Sequence, residues 1–393
     1  MISRNLILRF AVLLTLLCSL SLAVTPAKKG KKKSSAARSP AVSKLSKTPA
    51  TTKSTTTRSR TPARKRRVYS PWTEPTYADS TDGDSIEGED LAVRRAAVAA
   101  LGRLNGSVVV VDAGTGRILS MVNQKLALGG GYQPCSTIKV PVAMAALSEG
   151  LIDRETKIRL YGRTKMNLTE ALAKSNNPYF ARLGEQLGYE RVAYYAHLFG
   201  LGEKAGLDIP GEHPGYFPKE PPKNGGMGML TSFGEEIALT PLQLAAFMGA
   251  IANGGTLYYL QYPKTELEAE HLAPRVKRRL DIDNYIPEVR PGMMGAAQYG
   301  TARRIAAITD EAVFGKTGTC SERRTHLGWF GSFSEVGATK LVVAVLLTGG
   351  RPSVGPMAAG VAGEVYKRLA ETNYYAGIRP LSPVTLIGAQ SSQ

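Results

Sequence analysis

The feature that most constrains the fold of this chain is the uneven distribution of its charge. The 393 residues carry a formal net charge of +18. Residues 1–70 hold 17 Lys or Arg side chains and no Asp or Glu, so the remaining residues hold 33 basic and 32 acidic side chains. From residue 25 to about residue 67 this basic segment has almost no large apolar side chain, so it cannot bury enough surface to offset its conformational entropy. A hydrophobic core can therefore form only in the later part of the chain.

The N-terminus reads as an export segment. Arg4 and Arg9 precede an apolar run over residues 10–24, the order of charge and apolar residues found in signal peptides. As a helix this run is about 22 Å long, short of the ~30 Å hydrocarbon core. If the helix extended back past Arg9, it would nearly span the hydrocarbon core, and the Arg9 side chain could reach the membrane surface by snorkelling. Residues 1–27 thus predict a cleaved signal peptide or an uncleaved membrane anchor, and the terminal position disfavours the alternative of a buried core helix.

Residues 28–88 predict a disordered linker, first basic and then acidic, because they contain few large apolar residues. The high isoelectric point would favour a nucleic-acid partner. An export signal ahead of the basic segment argues against that partner and favours anionic lipid or wall polymer. Residues 376–393 predict a disordered C-terminal tail, which leaves residues 89–375 as the folded domain.

The folded body predicts an α/β (α+β) domain. The helical and strand patterns indicate one sheet assembled from distant segments, with an all-helical subdomain inserted between them. The predicted elements are a helix at 91–104, strands at 107–112, 117–122, 314–319, 327–334 and 341–347, mostly helix from 134 to 253, and a closing helix at 356–369.

Three short motifs carry the chemistry: S-T-I-K at 136–139, S-N-N at 175–177 and K-T-G-T at 316–319. Each alone is weak. The serine of the first could be a helix N-cap, the second a helix-breaking turn and the lysine of the third a strand-edge charge. Their occurrence together, in this order and at a helix start, a helix break and a strand, favours a catalytic site.

Each motif has a chemical rationale. Ser136 opens a helix, and Lys139, one turn on, could take its proton if a desolvated, cation-rich site lowers the pKa of the amine. Ser175 and Asn177 could relay a proton to a leaving amine and hold a substrate amide. In the third motif, Lys316 adds positive charge and Gly318 lets a ligand approach the backbone. The hydroxyls of Thr317 and Thr319 can bind a carboxylate.

At these motifs the sequence resembles the penicillin-binding protein transpeptidases. The resemblance extends through the segments 106–122, 206–212, 232–255 and 299–305, and residues 240–255 look like the penicillin-binding branch rather than the β-lactamases. It implies a β-lactamase/transpeptidase-like fold with an antiparallel five-stranded sheet flanked by helices. It also implies an enzyme of the bacterial cell membrane whose catalytic domain lies on the periplasmic or extracytoplasmic side, tethered to the inner membrane by its N-terminus.

The resemblance implies a mechanism. Ser136 would attack the penultimate D-Ala of a peptidoglycan stem peptide with Lys139 as base, and the backbone N–H groups of Ser136 and Thr319 would form the oxyanion hole. An amine from a second stem peptide would then take the acyl group. β-Lactams would acylate the same serine and stay, because residues 212–216 lack the E-x-x-L-N signature of deacylating class A β-lactamases. The catalytic set is Ser136, Lys139, Ser175, Asn177 and Lys316, with no metal and no cofactor.

Two positions depart from the family pattern. Cys135 stands where members usually have Gly, and Cys320 stands where they more often have Ala or Ser. Some carbapenem-hydrolysing class A β-lactamases look similar, with a disulfide at corresponding positions. In an oxidising compartment we therefore expect a Cys135–Cys320 disulfide; the alternative is two reduced, buried cysteines acting as small apolar side chains.

Two other functions remain open at the level of sequence. Water could replace the amine acceptor, which would make the chain a D,D-carboxypeptidase or a weak β-lactamase. Alternatively, the domain could be a non-catalytic β-lactam sensor.

Overall fold

The structure is a computed structural model that describes residues 72–336 and 339–377. The predicted signal peptide or anchor, the basic part of the predicted linker and residues 378–393 lie outside the described residues. Within the described part, every helix is too short or too polar to cross a membrane.

Strands at both ends of the described chain form the central sheet. The strands are β1 (Gly106–Asp112), β2 (Ile118–Val122), β3 (Ile158–Arg159), β4 (Lys165–Met166), β5 (Thr256–Tyr258), β6 (Val276–Arg279), β7 (Val313–Glu322), β8 (Thr325–Val336) and β9 (Thr339–Gly349). Five of them form one sheet in the order β2-β1-β9-β8-β7, in which every neighbouring pair is antiparallel. The predicted five-stranded antiparallel sheet is confirmed.

Helices cover both faces of this sheet. They are α1 (Leu91–Leu101), α2 (Gln124–Leu128), α3 (Lys139–Ser148), α4 (Leu168–Ala173), α5 (Asn177–Leu198), α6 (Gly226–Phe233), α7 (Pro241–Asn253), α8 (Glu266–Glu270), α9 (Ile286–Gln298), α10 (Gly355–Glu371) and α11 (Tyr374–Gly377). Successive strand side chains point to opposite faces. Along β9, Val343 and Val345 pack in the cluster of α1 and α10, whereas Val342 and Ala344 pack in the larger cluster that contains α3 and α7.

The sequence predicted an all-helical region between β2 and β7, and this prediction is wrong. Two antiparallel pairs, β3–β4 and β5–β6, lie in it beside helices α2 to α9. Strands of two to four residues are too short to give a clear alternating pattern, so the sequence signal for them is weak.

Strands β7 and β8 extend beyond their predicted ends because a tight turn joins them. Arg323 and Arg324 form this turn with φ of +45° and +60°. Two-residue hairpin turns with positive φ usually carry Gly, Asn or Asp. An Arg-Arg turn therefore gives no recognisable signal in the sequence.

The packed structure also begins earlier than predicted, because the acidic part of the expected linker lies against the sheet. The Asp84 carboxylate is 2.6 Å from Arg94 Nη2 and accepts hydrogen bonds from the backbone of Asn123 and Gln124. The buried Glu89 carboxylate accepts from backbone and hydroxyl donors of the sheet and the insertion. Residues 72–88 thus differ from the predicted disordered linker, since Asp84 within them binds backbone groups that lie 39 and 40 residues further along the chain.

We predict that this acidic segment contributes to stability through Asp84. The Asp84→Asn change should lower the free energy of unfolding by about 3 kcal/mol, because it removes one partner of a buried ion pair. Urea denaturation measures the change. Asp82→Asn makes the same charge change at an exposed site of the same segment and should have little effect. Equal effects of the two variants would contradict the prediction.

Candidate active site

The first motif lies where a tight 3₁₀ turn, Cys135–Ile138, runs into α3. With three residues per turn, side chains at positions i and i+3 lie directly above one another. Ser136 and Lys139 are in this relation, and Ser136 Oγ lies 2.9 Å from Lys139 Nζ. Both side chains are buried.

The second motif reaches the same lysine from the turn between α4 and α5. Ser175 adopts φ of +54° in this turn, and the side chain of Asn176 caps α5 by accepting from the N–H of Tyr179. Lys139 Nζ lies 3.0 Å from the Ser175 carbonyl oxygen and 3.2 Å from Ser175 Oγ, and it also contacts Asn177 Oδ1.

The third motif completes the cluster from β7. Lys316 Nζ donates to Ser175 Oγ at 2.7 Å and to the Thr317 carbonyl oxygen at 3.0 Å. Ser175 Oγ therefore lies within hydrogen-bonding distance of both lysine amines. All five side chains that the sequence nominated as catalytic are brought together.

Burial sets the protonation of the two lysines. Burial, with the neighbouring charge of Lys316, holds the pKa of Lys139 well below its usual value. Burial alone lowers the pKa of Lys316 to about 7. The positive charge of Lys316 therefore disfavours a proton on Lys139 and favours its neutral, basic form.

The hydrogen bonds of a neutral Lys139 direct its lone pair to the serine. A neutral amine has two N–H donors, and the Ser175 carbonyl and Asn177 Oδ1 can only accept. These two acceptors occupy both donors. The lone pair is then left for the Ser136 hydroxyl, which is the geometry of a general base.

Strand β7 passes directly beside the nucleophile turn. A Cβ at Gly318 would lie 2.8 Å from the Pro134 carbonyl oxygen and 3.3 Å from Cys135 Cβ. Only glycine fits this close approach without a shift. It brings strand β7 against the turn that immediately precedes Ser136.

The hydroxyls of the third motif have fixed partners. Thr319 Oγ1 accepts from the Gly355 N–H at the start of α10, at 2.8 Å. Thr317 Oγ1 lies 2.6 Å from Thr301 Oγ1. Thr301 was not among the predicted site residues, because a single threonine in a loop after α9 carries no chemical pattern; its only signal was the family-like segment at 299–305.

The two unusual cysteines join the first and third motifs. Cys135 and Cys320 form a disulfide in the structure, with Cα atoms 5.6 Å apart, within the ~7 Å that such a bond requires. Cys135 adopts φ of +51°, a region that favours glycine. The covalent link holds a non-glycine residue in this conformation immediately before the nucleophile.

No group of three or more His, Cys, Asp or Glu that could hold a metal ion occurs among the described residues.

A serine beside a buried lysine, at the junction of a helix and an antiparallel sheet, is an arrangement suited to serine acyl transfer. A family model described as the penicillin binding protein transpeptidase domain matches residues 106–371. The chain belongs to this family.

Named relatives agree with the family. The chain is 29% identical over 283 residues to stage V sporulation protein D of Bacillus subtilis, covering 63% of this chain and 43% of that protein. It is 26% identical over 384 residues to the peptidoglycan D,D-transpeptidase MrdA of Acinetobacter baumannii, covering 77% of this chain and 56% of that protein. The chain thus spans about half the length of these relatives.

Solved structures share the fold. PBP2 of Pseudomonas aeruginosa in complex with WCK 5153 aligns with a TM-score of 0.61 and 24% identity, covering 72% of this chain and 74% of that one. PBP2 of Helicobacter pylori, solved in complex with MreC, aligns with a TM-score of 0.62 and 22% identity, covering 72% and 63%.

We predict that the disulfide supports Ser136 partly by holding the backbone of Cys135. Replacing both cysteines by serine should destabilise the fold by up to about 5 kcal/mol, because a loop of 185 residues is released. The pair Cys135→Gly with Cys320→Ser should recover about 1 kcal/mol and acylate faster, since glycine tolerates the positive φ. Chemical denaturation and penicillin acylation rates measure both effects. Identical behaviour of the two double variants would show that the Cys135 conformation does not matter.

We predict that acylation requires an unprotonated Lys139. The rate constant for acylation by penicillin should rise with pH through a pKa well below the ordinary lysine value, because the protonated amine cannot accept the serine proton. Lys316→Met removes the neighbouring positive charge, so the pKa fitted to the rate profile should increase. A fitted pKa that stays constant or decreases in this variant would contradict the assignment.

Proposed function

We propose that this chain is a peptidoglycan D,D-transpeptidase that forms an acyl-enzyme on Ser136. The observation that carries the proposal is the 2.9 Å contact of Ser136 Oγ with Lys139 Nζ, whose two N–H donors are occupied elsewhere. Family membership and relatives that are named D,D-transpeptidases support it.

In the first half-reaction the serine is acylated. The Ser136 proton passes to Lys139 as Oγ attacks the carbonyl carbon of the penultimate D-Ala. The oxyanion that forms accepts from the backbone N–H groups of Ser136 and Thr319. The C–N bond then breaks, and Ser175 Oγ, 3.2 Å from Lys139 Nζ, passes the proton to the leaving D-Ala amine.

In the second half-reaction an amine of another stem peptide attacks the ester. Its proton moves to the Lys139 amine and from there back to Ser136 Oγ as the ester bond breaks. The products are a cross-linked peptide and the free enzyme. No further co-reactant is needed.

The remaining site residues bind the substrate in this proposal. The hydroxyls of Thr317 and Thr319, together with the charge of Lys316, bind the terminal carboxylate. Asn177 binds Lys139 through its oxygen, which leaves its NH₂ group to hold a substrate carbonyl. These roles explain why one motif contains two hydroxyls beside a buried cation.

The loop at Glu212 favours stable acylation by β-lactams over their hydrolysis. The Glu212 carboxylate is buried and accepts from the backbone N–H groups of Ala205 and Gly206. A carboxylate bound to its own loop in this way is poorly placed to activate water at Ser136. This observation favours a penicillin-binding enzyme over a β-lactamase.

We place the domain outside the cytoplasm of a bacterial cell, tethered to the inner membrane by residues 1–27 and with the basic linker near anionic lipid or wall polymer. The signal-like sequence at the N-terminus and the disulfide at the site support this location.

We predict that a fluorescent penicillin that does not cross the inner membrane labels this protein in intact cells. Ser136→Ala should lower labelling by at least about a thousandfold, because the nucleophile is lost. Ser148→Ala, at the far end of α3 and away from the cluster, should keep the label. Label that persists in Ser136→Ala, or that appears only in broken cells, would contradict the nucleophile or the location respectively.

The same protein, incubated with a stem pentapeptide and an amine acceptor, separates the remaining alternatives. A transpeptidase should yield cross-linked product. Release of free D-Ala without cross-links would indicate a carboxypeptidase, and slow release of hydrolysed penicillin would indicate a weak β-lactamase. A sensor would be labelled but yield neither peptide product.

A further inference from the structure

The β3–β4 hairpin presents an outer face that is entirely basic and aromatic. We call residues 157–166 the basic hairpin. Its apolar side chains, Ile158, Leu160 and Met166, pack against the core. The alternating outward positions are all exposed and are Lys157, Arg159, Tyr161, Arg163 and Lys165.

The register of this hairpin places two cations against each other. Arg159 is the direct cross-strand partner of Lys165. Like charges at directly opposed positions of an antiparallel pair are destabilising. An acidic residue at either position would fold more favourably, so the pair is not explained by the stability of the hairpin.

Carboxylates do not neutralise this face. The acidic residues nearest in sequence are engaged elsewhere: Asp153 accepts from the Thr156 backbone, Glu155 is 3.5 Å from Arg154, and Glu170 is 3.8 Å from Lys174. Among the described residues, the four cations of the basic hairpin form no ion pair. The positive charge therefore faces solvent in a body whose overall charge is nearly balanced.

The basic hairpin lies on the side of the fold that carries the second motif. Strand β4 leads into α4, which ends just before Ser175. On α5, Arg182 donates a hydrogen bond to the Arg159 carbonyl oxygen. Arg182 follows Asn177 by five residues, about 8 Å along a helix axis, so it adds a further exposed cation between the hairpin and the cleft.

We propose that the basic hairpin binds the carboxylate-bearing stem peptides of an un-cross-linked peptidoglycan strand while another peptide of that strand occupies the cleft. The proposal rests on the proposed function, which makes such a strand the substrate. A stem that ends in D-Ala carries a terminal carboxylate, so a strand with many stems presents many carboxylates. The cations bind its carboxylates, and the ring of Tyr161, 73% exposed, offers a flat surface to sugar or peptide.

An anionic membrane is the competing partner for such a surface. Tyr161 is the only uncharged side chain among the outward positions of the basic hairpin, which gives a bilayer little apolar surface to take up. The nearness to the second motif also favours a ligand that is continuous with the substrate in the cleft.

The test compares two full-chain variants of equal charge. The hairpin variant combines Lys157→Gln, Arg159→Gln, Arg163→Gln and Lys165→Gln. The control variant combines Arg95→Gln, Arg103→Gln, Lys219→Gln and Lys264→Gln, at exposed positions on other elements. The ligands are purified un-cross-linked strands with pentapeptide stems, the same strands stripped of peptides, and vesicles containing phosphatidylglycerol.

We expect the hairpin variant to bind intact strands about tenfold more weakly than the wild type, since each exposed charge contributes a few tenths of a kcal/mol. The control variant should bind as the wild type does, and added salt should weaken wild-type binding. Stripped strands should bind weakly to all three proteins. Labelling by penicillin, which reads only the serine site, should be unchanged in both variants.

Three results would overturn the proposal: equal loss in both variants, unchanged binding of the hairpin variant to intact strands, or a hairpin-specific loss seen with vesicles and not with strands. Hairpin-dependent strand binding by a protein that penicillin does not label would support the proposal and overturn the proposed function.

A single substitution separates binding from folding. Arg159→Glu replaces the like-charge pair with an opposite-charge pair, so it should raise the melting temperature while it weakens strand binding. A variant that loses strand binding and stability together would show that Arg159 has a structural role only.

Discussion

Two lysine amines buried against one serine hydroxyl are the constraint on which this structure depends. Lys139 and Lys316 both lie within 3.2 Å of Ser175 Oγ, and neither side chain is exposed to solvent. Burying two like charges is unfavourable, so the site holds them by lowering their pKa values and by supplying carbonyl and amide oxygens as acceptors. The same desolvation that makes the arrangement costly lets Lys139 act as a base at a pH well below that at which a lysine ordinarily loses its proton.

This cluster requires three segments that are distant in sequence to meet with little tolerance. Lys139 is on α3, Ser175 is in the α4–α5 turn and Lys316 is on β7. The antiparallel sheet carries β7 to the nucleophile turn, and Gly318 allows contact there that any side chain would prevent. The Cys135–Cys320 disulfide adds a covalent bond at the same junction. The strand order, the glycine and the disulfide thus all hold the third motif beside the first.

The chemistry of the site could be read from the sequence because it depends on residue types at short spacing. A serine and a lysine three residues apart lie together in any helical turn, so the Ser136–Lys139 contact follows from local geometry. The sheet could be inferred because long β-branched runs such as that of β1 leave little other choice. These features are local, and local patterns are what a sequence displays.

Features that depend on distant partners could not be read in the same way. Asp84 and Glu89 belong to a polar stretch that resembles a linker until Arg94 and the edge of β2 supply their counterparts. Thr301 gains a role only through Thr317. The Arg323–Arg324 turn adopts positive φ without the glycine or asparagine that usually indicates it. In each case the conformation is determined by tertiary contacts, because the local sequence does not favour it.

The charge of the folded body illustrates the same distinction at a larger scale. Nearly all of the net charge of +18 resides in residues 1–70, so the sum over the rest of the chain indicates an unremarkable surface. Register shows otherwise, since it sets Arg159 opposite Lys165 on a face without carboxylates. Like charges at directly opposite positions of a strand pair lower stability, so stability alone does not favour this arrangement. A nearly neutral domain can therefore still present a concentrated positive surface. The positive charge beside the second motif has more influence on which polymer the protein binds than the net charge has.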